Sequence, residues 1–244
     1  MKNIKLIIEF DGTNYNGWQI QKNGIGVQQV VEKAIKKLTG KAVKLIGSSR
    51  TDAGVHAKGY VANFLIEATI PGCSFMYAIN SFLPKDISII DSEEVDIDFN
   101  ARFHCRSKTY SYSIINRKTF PAMSRYYYCH IKQNLNIDLM KEASRYFLGT
   151  HDFSAFKNNG GSRKNPLKTI YKLDIEKVED KIIIYVTGSG FLYNMVRIIV
   201  GTLIDVGDGK ISPEKTQAII ESRDRNEAGM TAQALGLCLE KVYY

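Results

Sequence analysis

The fold is decided by two neighbouring stretches, IKLIIEF at residues 4–10 and VQQVVEKAIKKL at residues 27–38. The first is a short, weakly alternating apolar run that ends at the turn Asp11-Gly12, and it predicts a buried strand. In the second, apolar residues recur at helical spacing, and Gly40 follows at the position of a C-terminal cap. These patterns predict a strand followed by an amphipathic helix.

The elements predicted after this helix repeat the same order once, in pattern but not in sequence. Two strand-like runs, at residues 43–46 and 60–66, flank a polar segment at residues 47–59. The second half then shows a strand, a helix and two strands, at residues 108–115, 137–148, 169–177 and 181–186. Helices at residues 192–204 and 213–221 and an alternating strand at residues 236–243 complete the pattern.

This order predicts an α/β fold of the α+β type. We expect two similar α/β halves, each with a mainly antiparallel mixed sheet flanked by helices, and a catalytic cleft between the halves. The halves join near residues 99–103, so the N-terminal half is predicted at residues 1–103 and the C-terminal half at residues 104–244. A chain of 244 residues is long enough for each half to bury its own core.

The charge is concentrated in the second half. The chain carries 33 Lys+Arg and 25 Asp+Glu, a formal net charge of +8, and residues 1–100 contribute equally to both signs. Residues 102–172, here called the basic belt, combine many lysines and arginines with interleaved tyrosines and phenylalanines and only three acidic residues. This composition suits a nucleic acid, whose phosphates attract cations and whose bases stack on aromatic rings. A lysine-rich solvated surface is the alternative.

Several classes of function are disfavoured by the sequence. No run reaches the roughly 18 apolar residues of a membrane span, and the N-terminus lacks the pattern of a signal peptide, so we expect a cytoplasmic protein. The cysteines form no CxxC pair and the histidines no HxxxH pair. We therefore expect no metal site, and the absence of a P-loop or GxGxxG motif predicts no cofactor. The histidines are interpreted as structural or RNA-facing residues rather than general bases.

The polar segment contains the most informative residues, GSSRTDAGVHA at residues 47–57. Its small residues allow a tight turn, and Arg50 lies close in sequence to Asp52, which favours the ionised carboxylate. With no evident carboxylate partner, Asp52 fits a lone nucleophile or base better than half of a glycosidase pair. The alternative is an aspartate that only caps the turn through backbone amides.

An ordered series of motifs carries a family resemblance. RTDAGVHA at residues 50–57 resembles the signature of the bacterial tRNA pseudouridine synthase A family. The similarity continues through FDGT, GWQ, NARF, KTYSY, GTHDF and GFLYNMVR, which begin at residues 10, 17, 100, 108, 149 and 190. The resemblance implies a pseudouridine synthase fold and a homodimeric isomerase that converts uridine to pseudouridine at positions 38, 39 and/or 40 of the tRNA anticodon stem-loop, without a cofactor or metal.

The resemblance also implies roles for single residues. Asp52 matches the catalytic aspartate, Tyr110 the active-site tyrosine and Arg197 the arginine that pairs with the aspartate. Leu237 matches the apolar wall of the pocket. Arg50 matches the residue thought to enter the RNA helix and help expel the target base.

The sequence is compatible with more than one assignment for several other residues. Tyr112 lies two residues after Tyr110 on the same predicted strand, so both side chains point to the same face and either ring could face the pocket. Five cations in the basic belt are predicted to contact phosphates as a group: Arg106, Lys108, Arg163, Lys164 and Lys168. Asp52 could attack the sugar or the base, or remove a ribose proton. A non-catalytic RNA-binding paralogue is the alternative function, and a nuclease ranks last because the carboxylate cluster for two metals is missing.

Overall fold

A computed structural model describes residues 1–160 and 165–244. They form two compact units. The first contains Met1–Arg106 together with Cys238–Tyr244, and the second contains Ser107–Leu237. The sequence-based division kept residues 104–244 together, whereas the last strand lies in the first unit because it pairs with a strand there.

The helices and strands are numbered along the chain. The helices are α1 (Val27–Thr39), α2 (Phe75–Asn80), α3 (Ile137–Arg145), α4 (Met195–Gly207) and α5 (Lys215–Ser222). The strands are β1 (Lys2–Phe10), β2 (Ile46–Gly47), β3 (His56–Ile66), β4 (Ile87–Val95), β5 (Ser107–Asn116), β6 (Cys129–Ile131), β7 (Gly149–Asp152), β8 (Leu167–Val178), β9 (Lys181–Gly188) and β10 (Leu237–Tyr243). Short 3-10 turns lie at Gly72–Ser74, Ser154–Phe156 and Ala234–Gly236.

The sheet of the first unit is built around β1. β3 and β4 flank β1, both antiparallel to it, and β2 is antiparallel to β3. β10 is parallel to β3, with Cys238 opposite His56 and Leu239 opposite Ala57. Alternate residues of β1, Ile4, Leu6 and Ile8, are fully buried, as the period of two of a strand requires. This core supports the start of β3, where the polar loop ends.

The sheet of the second unit is built from β5, β9, β8 and β7. Each neighbouring pair is antiparallel, and the short β6 is parallel to β5. The end of α4 packs closely on α3, because a Cβ on Gly207 would lie 2.8 Å from the sulfur of Met140. Gly201, also in α4, would place a Cβ 1.8 Å from the carbonyl oxygen of Met230. Close packing therefore orients the helix that carries Arg197.

Most predicted elements are confirmed, and the errors have identifiable causes. The strand predicted at residues 43–46 is wrong except for its end, because the backbone N–H of Leu45 donates to the carboxylate of Glu32 on α1 instead of to a strand. α2 and β4 were missed, as were the short β6 and β7. The fold class, a mixed α/β structure with mainly antiparallel sheets, is confirmed. Within the described residues, no helix combines the length and apolar character needed to cross a bilayer.

Candidate active site

Asp52 lies in a loop between β2 and β3, here called the Asp52 loop (residues 48–55). Its side chain is partly exposed. The backbone N–H of Val55 donates to the carbonyl oxygen of Asp52 at 3.2 Å and closes a tight turn. Gly54 within this turn has a φ of +78°, a conformation that glycine adopts without a Cβ penalty, and its N–H donates to the carbonyl of Tyr15 at 3.2 Å. Backbone contacts therefore set the position of Asp52.

A second segment, residues 11–18, lies against the Asp52 loop and is here called the supporting segment. A Cβ on Gly12 would lie 2.0 Å from the carbonyl oxygen of Val55. A Cβ on Gly17 would lie 2.1 Å from the carbonyl oxygen of Thr51, and Gly17 has a φ of +80°. Both glycines are required because the two backbones touch. The sequence shows these glycines but cannot show what they touch.

His56 begins β3 and links it to the supporting segment. The N–H of Gly12 donates to Nδ1 of His56 at 3.0 Å, and a carboxylate oxygen of Asp11 lies 3.1 Å from the same nitrogen. His56 is only 5% exposed. These contacts give the imidazole a structural role. Arg50, by contrast, is exposed on the loop.

Tyr110 and Tyr112 of β5 differ in their surroundings. Tyr112 is fully buried, and its hydroxyl donates to the carbonyl oxygen of Gln233 at 2.8 Å. Burial raises the pKa of this phenol well above its usual range. Tyr110 is 7% exposed, and its ring meets that of Phe191 edge to face with centroids 5.3 Å apart. Tyr112 is committed to packing in the core, which favours Tyr110 as the site tyrosine.

Arg197 lies in the first turn of α4 and is partly exposed. Its Nε donates to the carbonyl oxygen of Ala232 at 2.7 Å, and its Nη1 donates to Oδ1 of Asn194 at 3.0 Å. In return, the N–H of Ala232 donates to the carbonyl of Arg197 at 3.1 Å. These bonds hold the guanidinium in a defined orientation. Leu237, at the start of β10, is 6% exposed, as an apolar wall residue would be.

The five predicted phosphate contacts fall into different environments. Arg106 is exposed. Lys108 is only 4% exposed, so its side chain is not on the open surface, where a backbone phosphate would be met. Lys168 donates through Nζ to the carbonyl oxygens of Asn165 at 2.7 Å and Leu167 at 2.8 Å. Arg163 and Lys164 lie outside the described residues.

A loop between β5 and β6 (residues 117–128), here called the basic aromatic loop, exposes cations and rings together. Lys118, Phe120, Arg125, Tyr126 and Tyr127 are all exposed. The guanidinium of Arg125 lies over the ring of Tyr126, 4.3 Å from its centroid, and donates to its hydroxyl at 3.0 Å. The segment from residue 117 to residue 137 contains no Asp or Glu. The basic belt predicted this character, but not its concentration in one loop.

The predicted site residues are divided between the two units. Asp52 and Arg50 lie in the first unit, and Tyr110, Arg197 and Leu237 lie in the second. Within the part of the chain that the structure describes, no group of three or more His, Cys, Asp or Glu side chains is arranged to hold a metal ion. Within the first unit, the carboxylate of Asp52 lies on a loop held by backbone bonds. Within the second unit, the guanidinium of Arg197 is oriented by hydrogen bonds and the phenol of Tyr110 is nearly buried.

Comparison with known proteins identifies the family of this chain. A family model described as tRNA pseudouridine synthase matches residues 6–104 and 143–244, and the chain therefore belongs to the tRNA pseudouridine synthase family, whose members are isomerases. The chain is 56% identical over 244 residues to tRNA pseudouridine synthase A 2 of Clostridium perfringens, covering 100% of both chains.

Two further relatives carry the name tRNA pseudouridine synthase A. The protein of Clostridium acetobutylicum is 54% identical over 244 residues, and that of Acetivibrio thermocellus is 54% identical over 245 residues. Both comparisons cover 100% of each chain. The family resemblance predicted from the sequence motifs is confirmed.

Proposed function

We propose that this chain isomerises uridine to pseudouridine at positions 38, 39 and/or 40 of the tRNA anticodon stem-loop, with Asp52 as the catalytic nucleophile or base. The observation that carries this proposal is the rigid placement of Asp52. Its loop is bonded and packed to the supporting segment, so the carboxylate occupies a preorganised position. A turn-capping aspartate would not need that support.

The reaction explains why a carboxylate is required. The N1–C1′ bond of uridine breaks, the uracil turns while bound, a C5–C1′ bond forms, the proton on C5 leaves, and N1 takes up one proton. Asp52 assists either by forming a covalent bond to the sugar or base, or by removing a ribose proton to give a glycal. No oxidant or external energy source is needed, since the product is an isomer of the substrate.

The remaining site residues are assigned supporting roles. From the family resemblance, in which Arg197 matches the arginine that pairs with the catalytic aspartate, Arg197 is proposed to favour the ionised form of Asp52. Tyr110 is proposed to stack on the extruded uracil and assist loss of the C5 proton. Leu237 excludes water on the apolar side of the base. Arg50, which is exposed, is proposed to enter the RNA helix when the target base is expelled.

Recognition of tRNA is proposed to use exposed cations and rings. Arg106 and the basic aromatic loop support this role, because phosphates attract the guanidinium groups and unpaired bases stack on the tyrosines. Lys108 is less suited to backbone phosphates because it is buried. We further propose that the enzyme acts in the cytoplasm as a homodimer, which would extend the basic surface available to one tRNA.

Tritium release tests the proposed reaction. The native chain is incubated with tRNA containing 5-tritiated uridine, and pseudouridine-specific sequencing locates the product. We expect release from the native chain at positions 38–40. We expect none from Asp52→Ala, although this variant still binds tRNA. Asp91→Ala is the matched control, because Asp91 is an exposed carboxylate on β4 of the same unit. It should release tritium at the native rate.

Two results would count against the proposal. Equal release by Asp52→Ala and the native chain would exclude Asp52 as the catalytic group. Tight tRNA binding without release by the native chain, across a full set of tRNAs, would favour the non-catalytic RNA-binding alternative.

A further inference from the structure

Three hydroxyl side chains of the Asp52 loop do not fix its conformation through hydrogen bonds. The hydroxyl oxygens of Ser48, Ser49 and Thr51 are buried and have no hydrogen-bond partner among the residues that the structure describes. Serine and threonine in loops commonly bond to nearby backbone groups and so stabilise the turn. Since these three do not, other groups must hold the residues beside Arg50 and Asp52.

Tyr60 of β3 supplies such a group. Its ring is fully buried, and its hydroxyl donates to the carbonyl oxygen of Ser49. The same hydroxyl oxygen accepts the backbone N–H of Ser49 at 3.4 Å. One phenol therefore bonds both backbone polar groups of the residue that precedes Arg50 and lies three positions before Asp52.

The position of this hydroxyl is itself fixed by packing. The ring of Tyr60 stacks on that of Trp18, with centroids 3.9 Å apart and an interplanar angle of 24°. A Cβ on Gly47 would lie 2.2 Å from the hydroxyl oxygen of Tyr60 and 2.5 Å from Nε1 of Trp18. Gly47 thus allows the phenol to reach Ser49, and the stacked rings prevent it from moving away.

We propose that Tyr60 is a positioning residue for catalysis: its hydroxyl holds Ser49 so that Arg50 and Asp52 meet the substrate in the productive geometry. This inference rests on the proposed catalytic role of Asp52. Loss of the hydroxyl leaves two polar groups of Ser49 without this partner and allows the loop to shift. Reaction rates are sensitive to such displacements, since a misplacement of about 1 Å can cost about 100-fold.

The test compares two variants that each lose one phenol hydroxyl. Tyr60→Phe keeps the stacked ring. Tyr244→Phe is the matched control, because the hydroxyl of Tyr244 donates to the carbonyl oxygen of Ala101 at 2.8 Å, in the same unit but outside the Asp52 loop. Single-turnover rates and KM for tRNA are measured on both full-length variants, with thermal unfolding followed in parallel.

We expect Tyr60→Phe to slow single-turnover pseudouridine formation by about tenfold, with KM for tRNA changed by less than about twofold. Tyr244→Phe should keep the native rate even where its loss of thermal stability is the same. A native rate for Tyr60→Phe would overturn the proposal. Equal slowing in both variants would also overturn it, because general destabilisation would then explain the effect. A change in Tyr60→Phe that is confined to KM would overturn it as well.

Asp52→Ala, measured alongside, separates this inference from the proposed function. If Asp52→Ala is inactive and Tyr60→Phe has the native rate, the positioning role is wrong and the catalytic role of Asp52 stands. If Asp52→Ala retains activity, the proposed function itself fails and the positioning role fails with it.

Discussion

Substitution of Gly17 by alanine should damage catalysis more than stability alone would explain. The new Cβ would lie 2.1 Å from the carbonyl oxygen of Thr51, where real Cβ contacts essentially never fall below 3.0 Å. Thr51 immediately precedes Asp52, so relief of the clash requires the Asp52 loop or the supporting segment to move by about 1 Å. A displacement of that size lowers a reaction rate by about 100-fold.

The cost in stability has two parts. Gly17 has a φ of +80°, and a residue with a Cβ pays about 1 to 2 kcal/mol in this left-handed region. The overlap with Thr51 adds an overpacking cost of about 1 to 3 kcal/mol. Gly17→Ala should therefore lower the free energy of unfolding by about 2 to 5 kcal/mol, within the range that a folded domain withstands.

Gly40→Ala provides the matched control. Gly40 follows α1 with a φ of +72°, and a Cβ there would meet nothing within 4 Å. It should lose only the conformational part, about 1 to 2 kcal/mol, and keep the native rate. Urea unfolding gives the stabilities, and single-turnover tritium release gives the rates. A native rate in folded Gly17→Ala would refute the reasoning, because the supporting segment would then not control the position of Asp52.

Three further outcomes are expected. Asn63→Leu should lower the free energy of unfolding, measured by urea titration, by about 3 kcal/mol. The backbone N–H of the fully buried Ala101 donates to Oδ1 of Asn63 at 2.9 Å, and leucine would leave this N–H without that acceptor. Iodoacetamide at about pH 8 should modify the exposed Cys73 and spare Cys238. Burial and the nearby Glu240 raise the pKa of Cys238 to about 12. Modification of Cys238 should therefore increase as the pH rises toward that value. Arg125→Ala should raise KM for tRNA and weaken its salt dependence, with kcat unchanged.

The sequence predicted those features that depend on local pattern. The period of α1 and the glycine at its end placed that helix within one residue. The motif at residues 50–57 predicts a catalytic role for Asp52 from local sequence alone. By contrast, the prediction of a strand at residues 43–46 was wrong, because the carboxylate of Glu32 accepts the backbone N–H of Leu45. The spacing of apolar residues in the sequence cannot reveal such a contact.

The supporting contacts of the site could not be predicted, because they join residues that are distant in sequence. Tyr60 appears in the sequence only as one tyrosine of an apolar strand, and its bond to Ser49 depends on the packing of Trp18. Tyr110 and Tyr112 point to the same face of their strand, and the hydrogen bond from the hydroxyl of Tyr112 to the carbonyl oxygen of Gln233 distinguishes them. Predictions from composition also treated all cations alike, whereas the fold buries Lys108 and exposes Arg106.

The pairing of β10 with β3 has a consequence for synthesis on the ribosome. Cys238 and Leu239 lie beside His56 and Ala57, so the sheet that begins where the Asp52 loop ends is completed by residues translated about 180 positions later. Until β10 emerges from the exit tunnel, the start of β3 at His56 and Ala57 lacks its partner strand on this edge, where β2 pairs only with Ala62 and Asn63. A nascent chain therefore holds its first unit unfinished until β10 has been translated.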